Sequence, residues 1–349
     1  MTASANPPPI ATELLAWYDR HARDLPWRAP PGTPPPDPYR VWLSEIMLQQ
    51  TTVAAVKPYF AAFTRRWPSV DQLAGAKDEE VMAAWAGLGY YSRARNLLKA
   101  ARLVAARGGF PDTEAGLREL PGVGDYTAAA IAAIAFERRA VAVDANVIRV
   151  VTRLFAIDTP LPGAKREIAV AADSITPGRR AGDFAQAMMD LGSSICTTRA
   201  PKCLLCPLAE RCAGRVANPE RFPVKPPKKA KPLRQGRCFW IEREGQVLLV
   251  ERAGKGMLGG MRGLPDDGWS AKGDGNGEPP LPGEWETRGL VRHGFTHFDI
   301  ELEVVERVGG PPGETGNGSW YPVAEIETLG LPTLFLKAAR RVLAARQTA

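Results

Sequence analysis

Histidine is almost missing from this chain: its 349 residues include three, His21, His293 and His297. So few imidazoles disfavour a His-rich metal site and a Ser-His-Asp triad in the first two-thirds of the chain. Cysteine is scarce too, five in all, with four of them between Cys196 and Cys212. An odd, clustered set argues for a metal site in a reducing compartment and against a disulfide framework. No apolar run comes near the ~18 residues a membrane span needs, so no membrane partner is expected. The opening MTASANPPPI lacks a charged stretch followed by an apolar one, so no secretory signal is expected and the cytoplasm is the expected compartment. What is present is ordinary globular material, 45% hydrophobic and 24% charged. The length suggests two domains at about 150 residues each.

Lys and Arg number 45 against 38 Asp and Glu, a net charge of +7. An anionic partner is implied, nucleic acid first. The excess is uneven. Residues 1–212 hold 25 basic and 21 acidic side chains, residues 213–237 hold 8 and 1, and residues 238–349 hold 12 and 16. The middle segment alone carries a charge equal to the whole net.

Residues 1–10 are Pro-rich and expected to be disordered. From 11 to 212, Ala, Leu and Ile recur at three- and four-residue spacing, which predicts a helical domain. It is interrupted by the Pro-rich loop RAPPGTPPPDPYR at 28–40. Residues 213–237, with five prolines among the basic side chains, read as a stiff charged connector. Residues 238–349 change texture. CFWIEREGQVLLVERAG predicts two strands around a Glu-Gly turn, FTHFDIELEVVERV another strand, 268–285 a long loop and TLFLKAARRVLAA a helix. The expected fold class is a mainly α first domain followed by a smaller α+β domain.

The first motif is LPGVGDYTAAAIAAIAF from Leu120. A helix ends at Pro121, Gly122 and Gly124 form an open turn, and a second helix starts near Asp125. Such a hairpin aims backbone N–H groups outward, which suits a phosphate oxygen, and a Cβ at the glycines would block a close strand. The second is AVAVDANVIRVVTRLF from Ala140, which delivers Asp144 to a helix start. Alone, Asp144 reads as an N-cap. Together the two resemble the helix–hairpin–helix DNA glycosylase superfamily, whose hairpin is followed by an essential Asp.

The third motif, VWLSEIMLQQT, surrounds Glu45 with Val41, Trp42, Leu43, Ile46, Met47 and Leu48. Apolar neighbours favour a raised pKa, and a carboxyl protonated at neutral pH can serve as a general acid. This string, with GLGYYSRARNL at 87–97, resembles the adenine glycosylase (MutY) branch. The resemblance runs from the Arg23–Arg28 string through the final helix. It implies that Glu45 protonates adenine at N7. It also implies that Asp144 stabilises the sugar cation, electrostatically or as a transient ester, with Tyr126 and Asn146 orienting that chemistry. Gln50, Thr51 and Tyr90 would hold the opposite guanine and its gap. Leu88 and Tyr90 would lie on the loop that wedges into the base stack. Arg93 and Arg95 would meet phosphates, with Trp27, Arg28, Gly122 and Gly124 completing the DNA contacts.

The fourth motif is Cys196, Cys203, Cys206 and Cys212, spaced C-x6-C-x2-C-x5-C. Four thiolates in so short a span imply a bound metal, and both zinc and an iron–sulfur cluster are chemically open. The spacing resembles the iron–sulfur loop of endonuclease III and MutY, which implies a [4Fe–4S] cluster. The fifth is HGFTHF at 293–298. In MutY proteins a Phe-Ser-His turn in a Nudix-like domain reads 8-oxoguanine. Here the turn is Phe295-Thr296-His297, with the hydroxyl kept and a methyl added. GKGMLGGMRGLPDDGW carries no Glu cluster where a Nudix hydrolase would have one, so this domain is expected to read a base and not to hydrolyse a nucleotide.

The resemblance thus implies a monomeric base-excision enzyme of the nucleoid, acting on duplex DNA at adenine opposite 8-oxoguanine or guanine. Tyr126 implies a monofunctional enzyme, because bifunctional relatives place a Schiff-base Lys at that position. Two alternatives remain: an endonuclease III-like lyase on oxidised pyrimidines, and a non-enzymatic iron–sulfur redox sensor on DNA. The basic connector is expected to add salt-sensitive grip without affecting lesion preference.

Overall fold

Alanine-rich helix sequences allow backbones to approach closely, and the first unit is built around one of them. The computed structural model describes residues 9–226, 230–252, 258–295, 297–310 and 318–347. The chain divides into two units, Met1–Pro227 and Lys228–Ala349. In the first, the helix Asp125–Phe136 is buried from Thr127 to Ala135. Gly182, on the helix Ala181–Ser194, lies so close to it that a Cβ there would come 2.9 Å from the Ile134 Cα. Against this pair pack the helices Pro9–His21, Pro38–Leu48 and Ala145–Leu154; Val53–Arg66 and Ser92–Ala106 pack on Pro38–Leu48, and Lys165–Ile175 on Ala145–Leu154.

Side-chain caps set several starts: Asp37 accepts from the Tyr39 N–H, Thr52 from Ala55 and Asp144 from Val147. The helical domain begins earlier than expected. Pro9 and Ile10 open the first helix, where proline is tolerated and Ile10 packs on the core. The rest of the expected disordered segment, residues 1–8, lies outside the described residues.

The expected connector is largely folded. Ala213–Val216 is a helical turn, and Phe222 is buried. The Leu161 N–H donates to the Val224 carbonyl at 2.9 Å. At the other end, Leu233–Arg237 belongs to a strand. Both ends are therefore parts of their domains, because Phe222 and the strand's pairing supply burial that the charge count hides.

In the second unit, strands β1 (Leu233–Trp240), β2 (Glu242–Arg243), β3 (Gln246–Glu251), β4 (Arg262–Gly263), β5 (Glu284–Gly294), β6 (Asp299–Gly309) and β7 (Gly318–Pro322) form two sheets. One has the order β1-β6-β5, with β1 parallel to β6 and β5 antiparallel to it. In the other, β3 pairs with β2, β4 and β7. The Glu244-Gly245 turn joins β2 and β3 with both residues at positive φ, the geometry a two-residue hairpin favours. Cys238, Trp240, Ile300, Leu302 and Val304 bury one sheet face under Phe335, Ala338 and Val342 of the helix Thr333–Gln347.

Candidate active site

Glu45 lies on the buried face of Pro38–Leu48, and its carboxyl opens onto a cavity of about 640 Å³. Tyr126, Asp144, Asn146, Trp27 and Arg28 line the same cavity. Burial pushes the Glu45 carboxyl up to about 7. A Tyr126 hydrogen bond pulls it down, the Asp144 carboxylate pushes it up and the Arg28 guanidinium pulls it down, in that order of size.

Asp144 has two tasks. Its Oδ1 accepts from the Val147 N–H at 2.7 Å and its Oδ2 from Asn146 Nδ2 at 2.8 Å. The cap thus fixes the carboxylate at the cavity wall. The Tyr126 hydroxyl also reaches Met189 Sδ at 3.8 Å, and burial raises the phenol's pKa further, so it stays a neutral donor. Two carboxyl groups thus share one cavity in different surroundings, Glu45 with its protonated form favoured by burial and Asp144 fixed by its helix cap, which separates their roles.

The hairpin lies alongside. Gly122 has φ +83, a backbone that only glycine adopts freely, and nothing lies within 4 Å of where a Gly124 Cβ would stand. Gln49 ties this hairpin to the Glu45 helix, donating from Nε2 to the Gly122 carbonyl at 3.3 Å and to Thr127 Oγ1 at 3.4 Å. Gln50 and Thr51 follow on the cavity rim.

Two expectations for the wedge loop change. Tyr90 is 60% exposed, whereas Leu88 is 6% exposed and packed in the core, so Tyr90 alone is presented outward. Arg95 is exposed, but Arg93 is 9% exposed and turned inward, with both terminal nitrogens bonded to protein oxygens. A phosphate contact for Arg93 is incompatible with that burial.

The four cysteines gather as expected from their spacing. Cys196, Cys203, Cys206 and Cys212 ring one small cavity of about 30 Å³, beside Arg153. Arg153 Nη1 donates to Cys196 Sγ at 3.4 Å. Among the described residues no three His, Cys, Asp or Glu side chains converge tightly enough for a single metal ion. Four thiols around one shared space are a donor set that suits either zinc or an iron–sulfur group.

In the second unit, Phe295 stacks on Phe298 at 4.8 Å and meets His293 and Trp269 edge-on or tilted, while His297 is exposed. Thr296 lies outside the described residues, as do residues 253–257 of the GKGMLGG string. Among the described residues from 258 to 283 there is β4 and no helix.

Comparison with known proteins accounts for both units. Residues 43–171 match the HhH-GPD superfamily of base excision DNA repair proteins, and residues 237–341 match a NUDIX domain. An adenine DNA glycosylase of Rattus norvegicus is 44% identical over 94% of this chain and 76% of its own. The chain belongs to the adenine DNA glycosylase family. A relative of the same name from Arabidopsis thaliana is 37% identical over 73% of this chain; the match covers 47% of that protein, so the chain spans about half its length. Among solved structures, a thermostable thymine-DNA glycosylase overlays 59% of this chain and 95% of its own, with a TM-score of 0.53 and 29% identity.

Three residues that support this family site were not singled out from the sequence. Asp190, 1% exposed, receives Arg28 through two bonds of 2.7 and 3.0 Å and Arg23 at 2.6 Å, which holds Arg28 against the cavity. The only sequence signal is a lone acid in the apolar run FAQAMMDLG. Arg149 donates to Asn146 Oδ1 at 2.9 Å, to the Gly192 carbonyl at 2.6 Å and to the Cys196 carbonyl at 2.7 Å. It thereby connects the cysteine loop to the partner of Asp144. Gly192 is the third: a Cβ there would stand 2.6 Å from the Asn146 Cβ.

Proposed function

We propose that this glycosylase removes adenine opposite 8-oxoguanine from duplex DNA, by hydrolysis of the N-glycosidic bond without strand cleavage. The observation that carries the reading is the shared cavity of Glu45, Asp144 and Tyr126, in which burial pushes the Glu45 carboxyl up to about 7. An adenine inside a base stack cannot reach these groups, so it must be flipped into the cavity. Glu45 donates a proton to N7, turning the purine into a neutral leaving group. Asp144 faces the sugar as positive charge develops there, and the retained geometry of related chemistry favours a transient ester that water then opens. Asn146 and the Val147 N–H hold that carboxylate in place. Tyr126 donates to Glu45 and cannot form a Schiff base, so excision ends at the abasic sugar.

The hairpin at 121–126 and Arg95 bind the strand backbone, and Gln50, Thr51 and Tyr90 address the base opposite. The turn Phe295–His297 reads the lesion. Cys196, Cys203, Cys206 and Cys212 hold a [4Fe–4S] cluster. When bound, that group supplies structural cross-linking, which orders the loop that Arg149 and Arg153 contact. The protein acts as a monomer in the cytoplasm.

The test is single-turnover base release from duplexes carrying adenine opposite 8-oxoguanine or guanine, with borohydride added in parallel. Faster release opposite 8-oxoguanine, with no covalent trapping, is expected. Efficient trapping with strand scission would make the enzyme a lyase, and equal rates on the two duplexes would remove the lesion-reading assignment.

A further inference from the structure

Gln50 and Tyr90 are non-glycine residues with left-handed backbones, at φ +59 and +50. Such conformations are costly and persist only where the surroundings fix them. The two lie on loops far apart in sequence, and both loops converge on one side chain. Arg93 Nη1 donates to the carbonyls of Ile46 at 3.2 Å, Met47 at 3.0 Å and Gln49 at 2.6 Å. Its Nη2 donates to Thr51 Oγ1 at 3.2 Å and to the carbonyls of Leu88 at 3.0 Å and Gly89 at 3.3 Å. The guanidinium also lies 5.6 Å from the Tyr90 ring and 5.3 Å from that of Trp85.

The chemistry explains the choice of residue. Ile46 and Met47 sit in the last turn of the Glu45 helix, where carbonyls lack helical partners and a cation is favoured. A planar fork reaches acceptors on two sides at once, whereas an ammonium on a flexible stem cannot span both loops. Every bond leads to a residue adjacent to, or within a few positions of, Gln50 or Tyr90.

We propose that Arg93 is a positioning residue for the base opposite the flipped adenine. It locks the Gln49–Thr51 and Leu88–Tyr90 loops into one two-pronged element, so that Gln50 and Tyr90 enter the duplex together. This rests on the reading above that these loops address the opposite base.

The experiment compares Arg93→Met and Arg93→Lys with the parent in single-turnover adenine release at saturating enzyme. One duplex carries adenine opposite 8-oxoguanine; the other carries adenine opposite an abasic-site analogue, where no base has to be held. The expected result is that the ratio of the first rate to the second falls by about tenfold in both variants. Equal losses on the two duplexes, or no loss, would overturn the proposal, because a role in stability alone lowers both alike. Arg93→Lys keeps the buried cation and carries the test should Arg93→Met fail to fold. Gln50→Ala and Tyr90→Ala separate the two layers. If they leave the ratio unchanged, the reading of the loops falls and the proposal with it. If they lower it while the Arg93 variants do not, the clamp alone is wrong.

Discussion

The general-acid role of Glu45 can be tested by Glu45→Gln, which keeps the size and hydrogen bonding of the side chain and removes its proton. Burial moves the carboxyl from its ordinary 4.5 to about 7. At pH 7, about half of the molecules then carry the proton, against about 0.3% for an unperturbed carboxyl. The cavity thus enriches the acid form by about 150-fold, equivalent to about 3 kcal/mol of barrier. Single-turnover adenine release should be level below pH 7 and fall about tenfold per pH unit above it. Glu45→Gln should lose at least that ~150-fold at pH 7.

The same shift sets a stability signature. The folded value lies above the unfolded one, so between pH 4.5 and 7 the native protein binds more protons than the unfolded chain. The stability contributed by the neutral carboxyl is complete below pH 4.5 and is lost as pH rises through 7. Glu45→Gln cannot ionise, so above pH 7 it should be more stable than the parent by up to about 3 kcal/mol, with the difference shrinking toward pH 4.5. Denaturant titrations at pH 5 and pH 8 read this directly. A parent rate profile falling from pH 4.5, or a Gln variant with retained turnover or no relative gain at pH 8, would refute the assignment.

Two further substitutions probe the carboxylate opposite. Asn caps a helix as well as Asp, so Asp144→Asn should keep the fold and duplex binding while adenine release drops by about a thousandfold or more, read by gel shift and single-turnover assay. Gly192→Ala brings a methyl to 2.6 Å from the Asn146 Cβ and should displace the amide that holds Asp144 Oδ2. A fall in kcat of about tenfold or more with KM little changed is expected; an unchanged kcat would show that Asn146 does not position the carboxylate.

Much of the site was legible where one residue type has one physical consequence. Six apolar neighbours around Glu45 forecast a raised pKa, and an Asp at an apolar-flanked helix start forecast both the cap and a fixed carboxylate. Four close cysteines forecast a shared pocket. What was not legible depended on backbone acceptors. Arg93 follows a tyrosine-rich loop at a helix start, where the family resemblance implies a phosphate contact. Its partners are carbonyls of another helix's last turn, and carbonyls leave no sequence signature. Leu88 likewise reads as a wedge until the core that takes it in is known. In the second unit, β5 was missed because EWETRGLVRHG has few buried positions and a bulge near Gly289, so no apolar alternation marks it.

The connector gives the sharpest contrast between composition and structure, and a last prediction. Its charge suggests a tether that adds only salt-sensitive grip. Yet Lys231 Nζ donates to the Phe295 carbonyl at 2.6 Å and lies 3.8 Å from Asp299. The Asp299 N–H donates to the Pro232 carbonyl at 3.0 Å, and Phe295 closes its turn with a 2.8 Å bond to the Phe298 carbonyl. Both ends of the turn at Phe295 are therefore pinned to the connector. Lys231 is partly exposed, so its charge-assisted bond is worth about 1 kcal/mol, roughly a fivefold effect. Lys231→Met should lower the preference for 8-oxoguanine over guanine opposite adenine by about that factor, measured as the ratio of single-turnover rates. Lys225→Met, on the other side of the undescribed stretch, should reduce only the salt dependence of binding. If both variants change the salt slope and neither changes the ratio, the connector is a charged tether after all, and the turn at Phe295 holds its shape through Phe298 and Trp269 alone.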